Sequence, residues 1–360
     1  MPSQSNRLER LVLKVDGKAV KGLYLSRLTY TEAIGELDGM TALLRIPPGG
    51  MKKIAKKLVP GSKFQIDIHD VKGKPQKDLQ KEGDIIAVNF EYVRGETVVV
   101  LVGVNYMHRL RSEHKTKVWE DDCKKIVSAI GKKANLKVKC DAFSFTPTTT
   151  FQQNETDALF LMRLARENNY ICRVVGKTLY FSRRKHQSKV IKVSMALVLE
   201  ARLTANLKDH LNKVIVYWGS HEENGTKLKK YVGTPGASNV SPLNSTGKIG
   251  YKLGKQKFKK DKIMTIGGYD MPLYENQSQA KAKADATLEA AAMDFVEGTV
   301  KLTTGQSDAF CGATLQLDGD NNAAWPFIGK FMITKVVHTY SNFELLTEIG
   351  FKSNSLPKEP

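Results

Sequence analysis

Residues 151–170 read FQQNETDALFLMRLARENNY, and the short segment GKTLYF follows at 176–181. The first part has the pattern of a capped amphipathic helix, with Asn154 as a good N-cap residue and Asp157 three positions later. The apolar residues at helical spacing, predicted to form the buried face, are Ala158, Leu161, Met162 and Ala165. Two short apolar segments around Gly176 then predict a β-hairpin. The stretch therefore indicates a small mixed α/β unit.

Strands are predicted on both sides of this unit. From residue 8 to 110, and again from 197 to 351, β-branched runs alternate with turn residues. A helix is predicted from near Trp119 to residue 134, because apolar residues there recur at helical spacing. A second is predicted at about 277–295, where an alanine-rich face suggests packing on a flat partner such as a sheet.

One repeated pattern occurs in both β regions. A long strand pair at 86–92 and 97–104 resembles in layout a second pair at 332–340 and 343–351. This repeated pattern suggests two related β-domains, one at each end of the chain.

Positive charge is in excess and unevenly distributed. Lysine and arginine number 56 against 37 for aspartate and glutamate, a formal net charge of +19. Residues 227–262 contain ten lysines and one acid, whereas residues 263–360 are acidic. Because charge runs are usually solvated, the segment at about 220–262 is predicted to be a long, mobile basic loop, with an anion-facing surface as the alternative. The lysines of that surface would be Lys252, Lys255, Lys257, Lys259, Lys260 and Lys262.

Motifs that would mark an enzyme or a metalloprotein are missing from the sequence. His108 and His114 lack a third ligand at a suitable spacing, and residues 318–329 lack the glycine and glutamate of a calcium loop. No phosphate-binding loop, nucleophile elbow or dinucleotide-binding glycine pattern is present. The sequence thus predicts no catalysis, no metal and no cofactor.

The sequence also argues against membrane insertion. The longest apolar run, residues 98–104, is far shorter than the roughly 18 residues of a spanning helix. Four cysteines without metal-type spacing indicate a reducing place of synthesis, and no export signal is visible. We therefore expect synthesis in the cytoplasm.

Residues 151–181 resemble the phage late control protein D family, the baseplate hub proteins of contractile tails. This family is related to the N-terminal part of the VgrG spike of type VI secretion systems. The resemblance covers most of residues 8–352 and is specific only at 151–181. The residues that carry it are Gln153, Asn154, Glu155, Thr156, Asp157, Phe160, Leu161, Arg163, Leu164 and Ala165, followed by LYF at 179–181.

The resemblance implies a mixed, mainly β fold (α+β). Two tube-like antiparallel β-barrel domains, at 1–112 and 197–360, would flank a small helix-containing α/β domain at 113–196. Hubs of this family are homotrimers whose paired barrels form a six-fold-like ring, which joins the hexameric tail tube to a trimeric spike.

Partners and location follow from the same resemblance. We expect further copies of the chain, a tail tube protein, a spike protein and other baseplate proteins, with DNA in transit through the channel as a further partner. Because the chain ends at Pro360 without a needle-like repeat, the spike is expected to be a separate polypeptide. The expected location is the baseplate of a virion or tail-like particle assembled in the bacterial cytoplasm.

Within the motif, the expected roles are architectural. Asn154 and Asp157 would cap the helix. The packing residues would be Phe160, Leu161 and Leu164, and the residues making polar contacts would be Gln153, Glu155 and Arg163.

Two rival functions remain open from the sequence. A basic nucleic-acid-binding module would explain the charge, but no recognition motif is present and only Phe258 interrupts the lysines at 255–262. A cell-wall hydrolase would need a catalytic carboxylate pair in a domain of its own, for which the chain has no room.

Overall fold

The protein is described by a computed structural model. It describes residues 10–20, 24–47, 58–69, 81–93, 95–141, 150–183, 189–208, 210–222, 225–235, 242–244, 247–258, 261–267, 274–341 and 344–359.

Most of the described chain is β-structure. In chain order the strands are β1 (Arg10–Val15), β2 (Lys18–Ala19), β3 (Tyr24–Ala33), β4 (Gly39–Ile46), β5 (Lys63–His69), β6 (Lys81–Val93), β7 (Glu96–Asn105), β8 (His114–Trp119), β9 (Lys137–Cys140), β10 (Thr150–Thr156), β11 (Tyr170–Val175), β12 (Thr178–Arg183), β13 (Val190–Ser194), β14 (Val198–Ala205), β15 (Lys213–Glu222), β16 (Gly225–Gly233), β17 (Ile263–Ile266), β18 (Val296–Leu302), β19 (Thr314–Asp318), β20 (Gly329–Ser341) and β21 (Glu344–Ser353).

Helices are fewer: two lie between the β regions and three lie within the second one. They are α1 (Cys123–Lys133), α2 (Asp157–Glu167), α3 (Gly250–Phe258), α4 (Gln277–Ala292) and the single turn α5 (Asn321–Ala324). The predicted helices near 119–134 and 277–295 are confirmed as α1 and α4, and the motif helix is α2.

Thirteen of these strands form one large, curled, almost entirely antiparallel sheet. Its main path runs β14-β18-β21-β20-β3-β4-β7-β6-β5-β1-β2. At the centre, β20 pairs antiparallel with β3, so strands from the two ends of the chain share one sheet. The mainly β, α+β fold predicted from the sequence is confirmed, while the division at 1–112, 113–196 and 197–360 stays a prediction.

The sheet contains the same four-stranded arrangement twice. The first half-sheet is β3-β4-β7-β6 and the second half-sheet is β14-β18-β21-β20, each in the order first, second, fourth, third along the chain. In both halves a further strand pairs with the beginning of the third one: β5 with β6, and β19 with β20. The similarity of the two long hairpins therefore reflects a duplicated topology.

The irregularities of the two half-sheets also coincide. The first strand has one extra residue near its start, Ser26 in β3 and Leu199 in β14. The third strand has one extra residue a few residue pairs into its ladder with the fourth strand. This residue is Ile86 in β6 and Thr334 in β20. Because bulges interrupt the ladder at defined positions, they fix a residue-by-residue correspondence between the halves.

Apolar side chains form four cores. One lies under each half-sheet, a third lies in the α/β unit around α1 and α2, and a fourth lies between α4 and the small sheet β16-β15-β17. Tyr340 of β20 packs in the core of the first half-sheet, so the central β20–β3 joint is sealed by side chains as well as by backbone pairing.

The prediction of a long mobile loop at 220–262 is wrong for its described residues. β16 pairs along its length with β15, and α3 is helical. The apolar residues Leu228, Tyr231 and Val232 are compatible with a strand, but the charge and turn residues around them dominate the sequence pattern. Lys259 and Lys260 lie outside the described residues.

Candidate assembly site

The motif helix α2 is capped by Thr156, whose Oγ1 accepts a hydrogen bond from the Leu159 backbone N–H at 3.3 Å. The predicted cap by Asn154 is wrong. β10 continues to Thr156, so the chain enters the helix two residues later than predicted. Asn154 instead lies at a bulge opposite β8 with φ of +49°, a left-handed conformation that asparagine tolerates well.

A buried polar chain supports the start of α2. The indole N–H of Trp119 donates to Gln152 Oε1 at 3.2 Å, and Gln152 Nε2 donates to Asp157 Oδ1 at 3.1 Å and to the Glu155 carbonyl at 2.9 Å. Lys115 completes the chain with an ion pair to Asp157. Gln152 is fully buried, so each of these bonds replaces one that water would make.

The charge of Lys115 is held in place by Asp157. Partial burial alone lowers the pKa of Lys115, but the hydrogen bond and negative charge of Asp157 outweigh it, so the pKa is raised above its ordinary value. Asp157 therefore acts as the buried anion of the unit, and its predicted role as a cap is replaced by this pairing.

Arg163 fixes the outer side of α2 to β10. Its guanidinium donates to Glu155 at 2.8 and 2.9 Å and to the Phe151 carbonyl at 2.6 Å. The predicted polar role of Glu155 and Arg163 is thus a bidentate ion pair, the strongest geometry for such a contact. Gln153 is exposed, and its side chain makes no hydrogen bond with a described residue.

The apolar motif residues pack as the pattern predicts. Phe160 stacks on Trp119 with ring centroids 6.3 Å apart. The other buried motif residues are Leu161, Leu164 and Ala165. Gln152, Lys115 and Trp119 were missed as supporting residues; the only sequence signal was a tryptophan whose indole N–H needs an acceptor when buried.

A central charge cluster, Glu32, Asp38, Lys81 and Arg173, lies where the first half-sheet, β20 and the α/β unit meet. Lys81 and Glu32 form a buried ion pair. Asn105 donates to Asp38 Oδ2 at 2.9 Å, and Arg173 donates to the Cys311 carbonyl at 3.0 Å. These contacts link β3, β6, β11 and the segment before β19.

The cluster has unusual protonation behaviour. Burial, followed by the charge of Glu32, raises the pKa of Asp38 to about 8. Burial alone raises the pKa of Glu32 as well, but Lys81 outweighs it and lowers the pKa below the ordinary value. The nearby His338 is buried, which lowers its pKa to about 4. The cluster therefore places ionisable groups inside the joint, where Glu32, Asp38 and Lys81 are buried.

The basic patch consists of Lys252, Lys255, Lys257 and Phe258 on α3. The inner face of this helix carries glycines: a Cβ at Gly254 would lie 2.3 Å from the His210 ring, so only glycine allows so close an approach. The three lysines are exposed and form no ion pair with a described carboxylate. Lys262 lies beyond the helix, with its ammonium on the Lys208 carbonyl.

Among the strand edges that are open in the described part of the main sheet are those of β14 and β6. β14 pairs with β18 on one side only, and β6 pairs with β5 only through Lys81–Asp84. On the open part of β6, Phe90 is 47% exposed and Tyr92 is 77% exposed. Within the described residues no strand covers either edge, and unpaired edges carrying apolar side chains are sites of strand addition.

The described residues offer no group of three metal-ligating side chains. The four cysteines are free; burial raises the pKa of the Cys123 and Cys172 thiols, which disfavours the nucleophilic thiolate. None of the described helices is long and apolar enough to cross a membrane.

Solved structures of phage tail proteins have the same fold. A 43 kDa tail protein of prophage MuSo2 from Shewanella oneidensis aligns with a TM-score of 0.64 and 13% identity, over 95% of this chain and 98% of that one. A tail protein from Neisseria meningitidis MC58 aligns with a TM-score of 0.58 and 12% identity, over 96% of each chain.

A secretion-system structure aligns as well. A chain of the Francisella PdpA-VgrG complex has a TM-score of 0.55 at 10% identity, over 99% of this chain and 54% of that one. No family model matches the sequence, and no curated protein matches it significantly. The chain thus has the fold of phage tail proteins and of VgrG-like components, as the resemblance at 151–181 implied.

Proposed function

We propose that the protein is the structural baseplate hub of a contractile phage tail or a related injection machine. Three copies would form a ring that joins a six-fold tail tube to a three-fold spike, with no catalytic role. The spike would be a separate chain, and the hub would be located in the baseplate of the particle.

The observation that carries this proposal is the duplicated half-sheet in a chain of which 95% aligns with a phage tail protein. A trimer matches a hexameric partner only if each chain presents two equivalent surfaces. The two half-sheets share strand order and bulge positions, so they supply two such surfaces per chain. Three chains then present six.

The α/β unit has a supporting role in this proposal. Its polar groups are used internally: Gln152 and Asp157 within the buried chain, and Arg163 on Glu155. Arg173 ties it to the segment before β19. A unit held in this way maintains the orientation of the two half-sheets.

Electron microscopy of the purified chain tests the proposal. The expected image is a ring with three-fold symmetry, a six-fold-like wall and a central opening. Compact single particles at all protein concentrations, with no ring, would contradict it.

Nucleic-acid binding is the second candidate, favoured by one observation. Phe258 is 54% exposed and stacks on His210 at 5.2 Å, which leaves one ring face beside exposed lysines. Aromatic faces next to lysines are how many proteins hold single-stranded nucleic acid. Anisotropy of a labelled oligonucleotide at increasing salt tests it: binding weakened by Phe258→Ala supports this candidate, and equal binding by the variant rejects it.

A further inference from the structure

We infer that the open edge of β6 in one copy of the chain pairs antiparallel with β14 of the next copy, with Glu91 opposite Arg202. The inference rests on the proposed trimer and specifies its joint. It names the occupant of both open edges as a second copy of this chain.

The central joint within the chain provides the template. There, the third strand of the second half-sheet, β20, pairs with the first strand of the first half-sheet, β3, over seven residue pairs from Lys335–Ala33 to Ser341–Arg27. The remaining third strand is β6 and the remaining first strand is β14; among the described residues, β14 and the part of β6 beyond Asp84 have no partner on this edge. Joining them across copies repeats the internal joint.

The bulges transfer the register from the internal joint to the joint between copies. Counting from Ile86 and Thr334, Phe90 corresponds to His338 and Glu91 to Thr339. Counting from Ser26 and Leu199, Thr29 corresponds to Arg202 and Tyr30 to Leu203.

The internal pairs then define the pairs between copies. Within the chain, Thr339 lies opposite Thr29, and His338 lies opposite Tyr30. The equivalent pairs between copies are Glu91 with Arg202 and Phe90 with Leu203.

The chemistry of the deduced pairs is complementary. Arg202 contacts Glu200 at 2.8 Å, and Lys301 contacts the same carboxylate at 3.3 Å, so Arg202 shares its acidic partner with a second cation. Glu91 is exposed and forms no ion pair with a described residue, and it would give Arg202 a carboxylate of its own. Opposite charges on facing residues of an antiparallel pair stabilise it.

The inner face is complementary in a second way. His338 is 3% exposed in the internal joint, whereas the corresponding Phe90 is 47% exposed. Leu203, its deduced partner, packs at the border of the core under the second half-sheet. Pairing would therefore cover an aromatic ring with the side chains of an existing core, and apolar burial drives such association.

The symmetry of the joint also fits a closed ring. A contact between two different edges is heterologous and propagates head to tail, and it closes when the rotation per copy divides a full turn. If each joint between copies repeats the internal one, three copies contain six equivalent joints. All six have the same polarity, as a ring requires.

Disulfide trapping tests the register. Directly opposed residues of an antiparallel pair have Cα atoms about 4.5–5.5 Å apart, within reach of a disulfide. The variant Glu91→Cys with Arg202→Cys is expected to give covalent trimers on oxidation. β6 and β14 form no ladder with each other within one described chain, so a bridge at this pair reports contact between copies. The matched control, Glu91→Cys with Glu200→Cys, is shifted by two residues on the same face and should cross-link several-fold less.

The outcomes separate this inference from the proposed function. A native trimer that cross-links equally at both pairs, or at neither, overturns the deduced register and leaves the trimer standing. A monomer that forms no covalent trimer overturns both. Exchanging the two charges tests the Glu91–Arg202 pair independently. Each single variant, Glu91→Arg or Arg202→Glu, should weaken the trimer, and the double variant should restore it. Failure of that rescue also counts against the pair.

Discussion

Tyr92 and Tyr340 occupy equivalent positions in the two half-sheets, yet Tyr92 is 77% exposed and Tyr340 is 8% exposed. Both stand six residues beyond the bulge of the third strand, on the side that faces the cores. Tyr340 is covered because β3 pairs with its strand and Leu28 lies opposite it. In the proposed trimer, β14 of the next copy would cover Tyr92 in the same way.

The matched substitutions of these two tyrosines should act on different properties. Tyr340→Ala removes a buried aromatic ring, and we expect the free energy of unfolding to fall by about 3 kcal/mol or more. Tyr92→Ala should leave the folded monomer intact and abolish the trimer. Denaturant titration and light scattering measure the two effects. Similar loss of folding stability in both variants would show that Tyr92 belongs to a monomer core.

Gln152 should be more important for stability than its exposed neighbour. Gln152→Leu leaves the buried indole N–H of Trp119 without its acceptor and removes a donor from Asp157, so we expect a loss of about 2 kcal/mol or more. Gln153→Leu, on the exposed side, should change stability by less than about 0.5 kcal/mol. Urea titration followed by tryptophan fluorescence measures both. Equal effects would mean that the buried chain does not hold the α/β unit.

The pH dependence of stability should reveal Asp38. Its pKa rises from 3.8 to about 8 on folding, so between these values the folded state keeps a proton that the unfolded state has released. Stability from this group is complete below pH 4 and is lost as the pH rises towards 8. From pH 6.5 to 8, wild-type stability should fall by on the order of 1 kcal/mol relative to Asp38→Asn.

This window avoids the opposite effect of His338. The pKa of that ring is lowered to about 4, so its contribution changes only below its ordinary value of 6.5. Parallel stability profiles of wild type and Asp38→Asn above pH 6.5 would mean that Asp38 is ionised in the folded state.

The lysines of the basic patch should be dispensable for folding and assembly. Replacing Lys252, Lys255 and Lys257 by serine removes exposed charges that pair with no described carboxylate, so thermal stability and native mass should stay unchanged. The same substitutions on a nucleic-acid-binding surface would reduce the salt dependence of oligonucleotide binding. Loss of the trimer in this variant would identify α3 as part of the joint.

Local sequence patterns predicted individual helices and hairpins. The candidate assembly site, however, depends on strand pairing between distant parts of the chain. The helices α1, α2 and α4 were predictable because their apolar residues recur at helical spacing, and the hairpins because β-branched runs flank turns. The pairing of β3 with β20 was not, since it joins segments about three hundred residues apart and leaves no local signature. The open edges of β6 and β14 become visible only once that pairing is known.

The misplaced cap and the misjudged basic segment have different physical reasons. Asn154 is a good cap by residue type, but the ladder of β10 with β8 extends past it and Thr156 takes that role. In the basic segment, solvated lysines on the outer faces of β16 and α3 dominate the composition, while two glycines of α3 provide the packing. Glycine in a lysine-rich run predicts a loop. The helix is explained only by its close packing on Phe295 and His210, against which these glycines lie.

Native mass by light scattering, at low and high salt, tests the central claim most directly. The trimeric hub predicts a salt-resistant species of three times 40.1 kDa for the wild type and a species of 40.1 kDa for Tyr92→Ala. A wild-type chain that stays at 40.1 kDa at every concentration and salt would contradict the trimer and the role assigned to its two open edges.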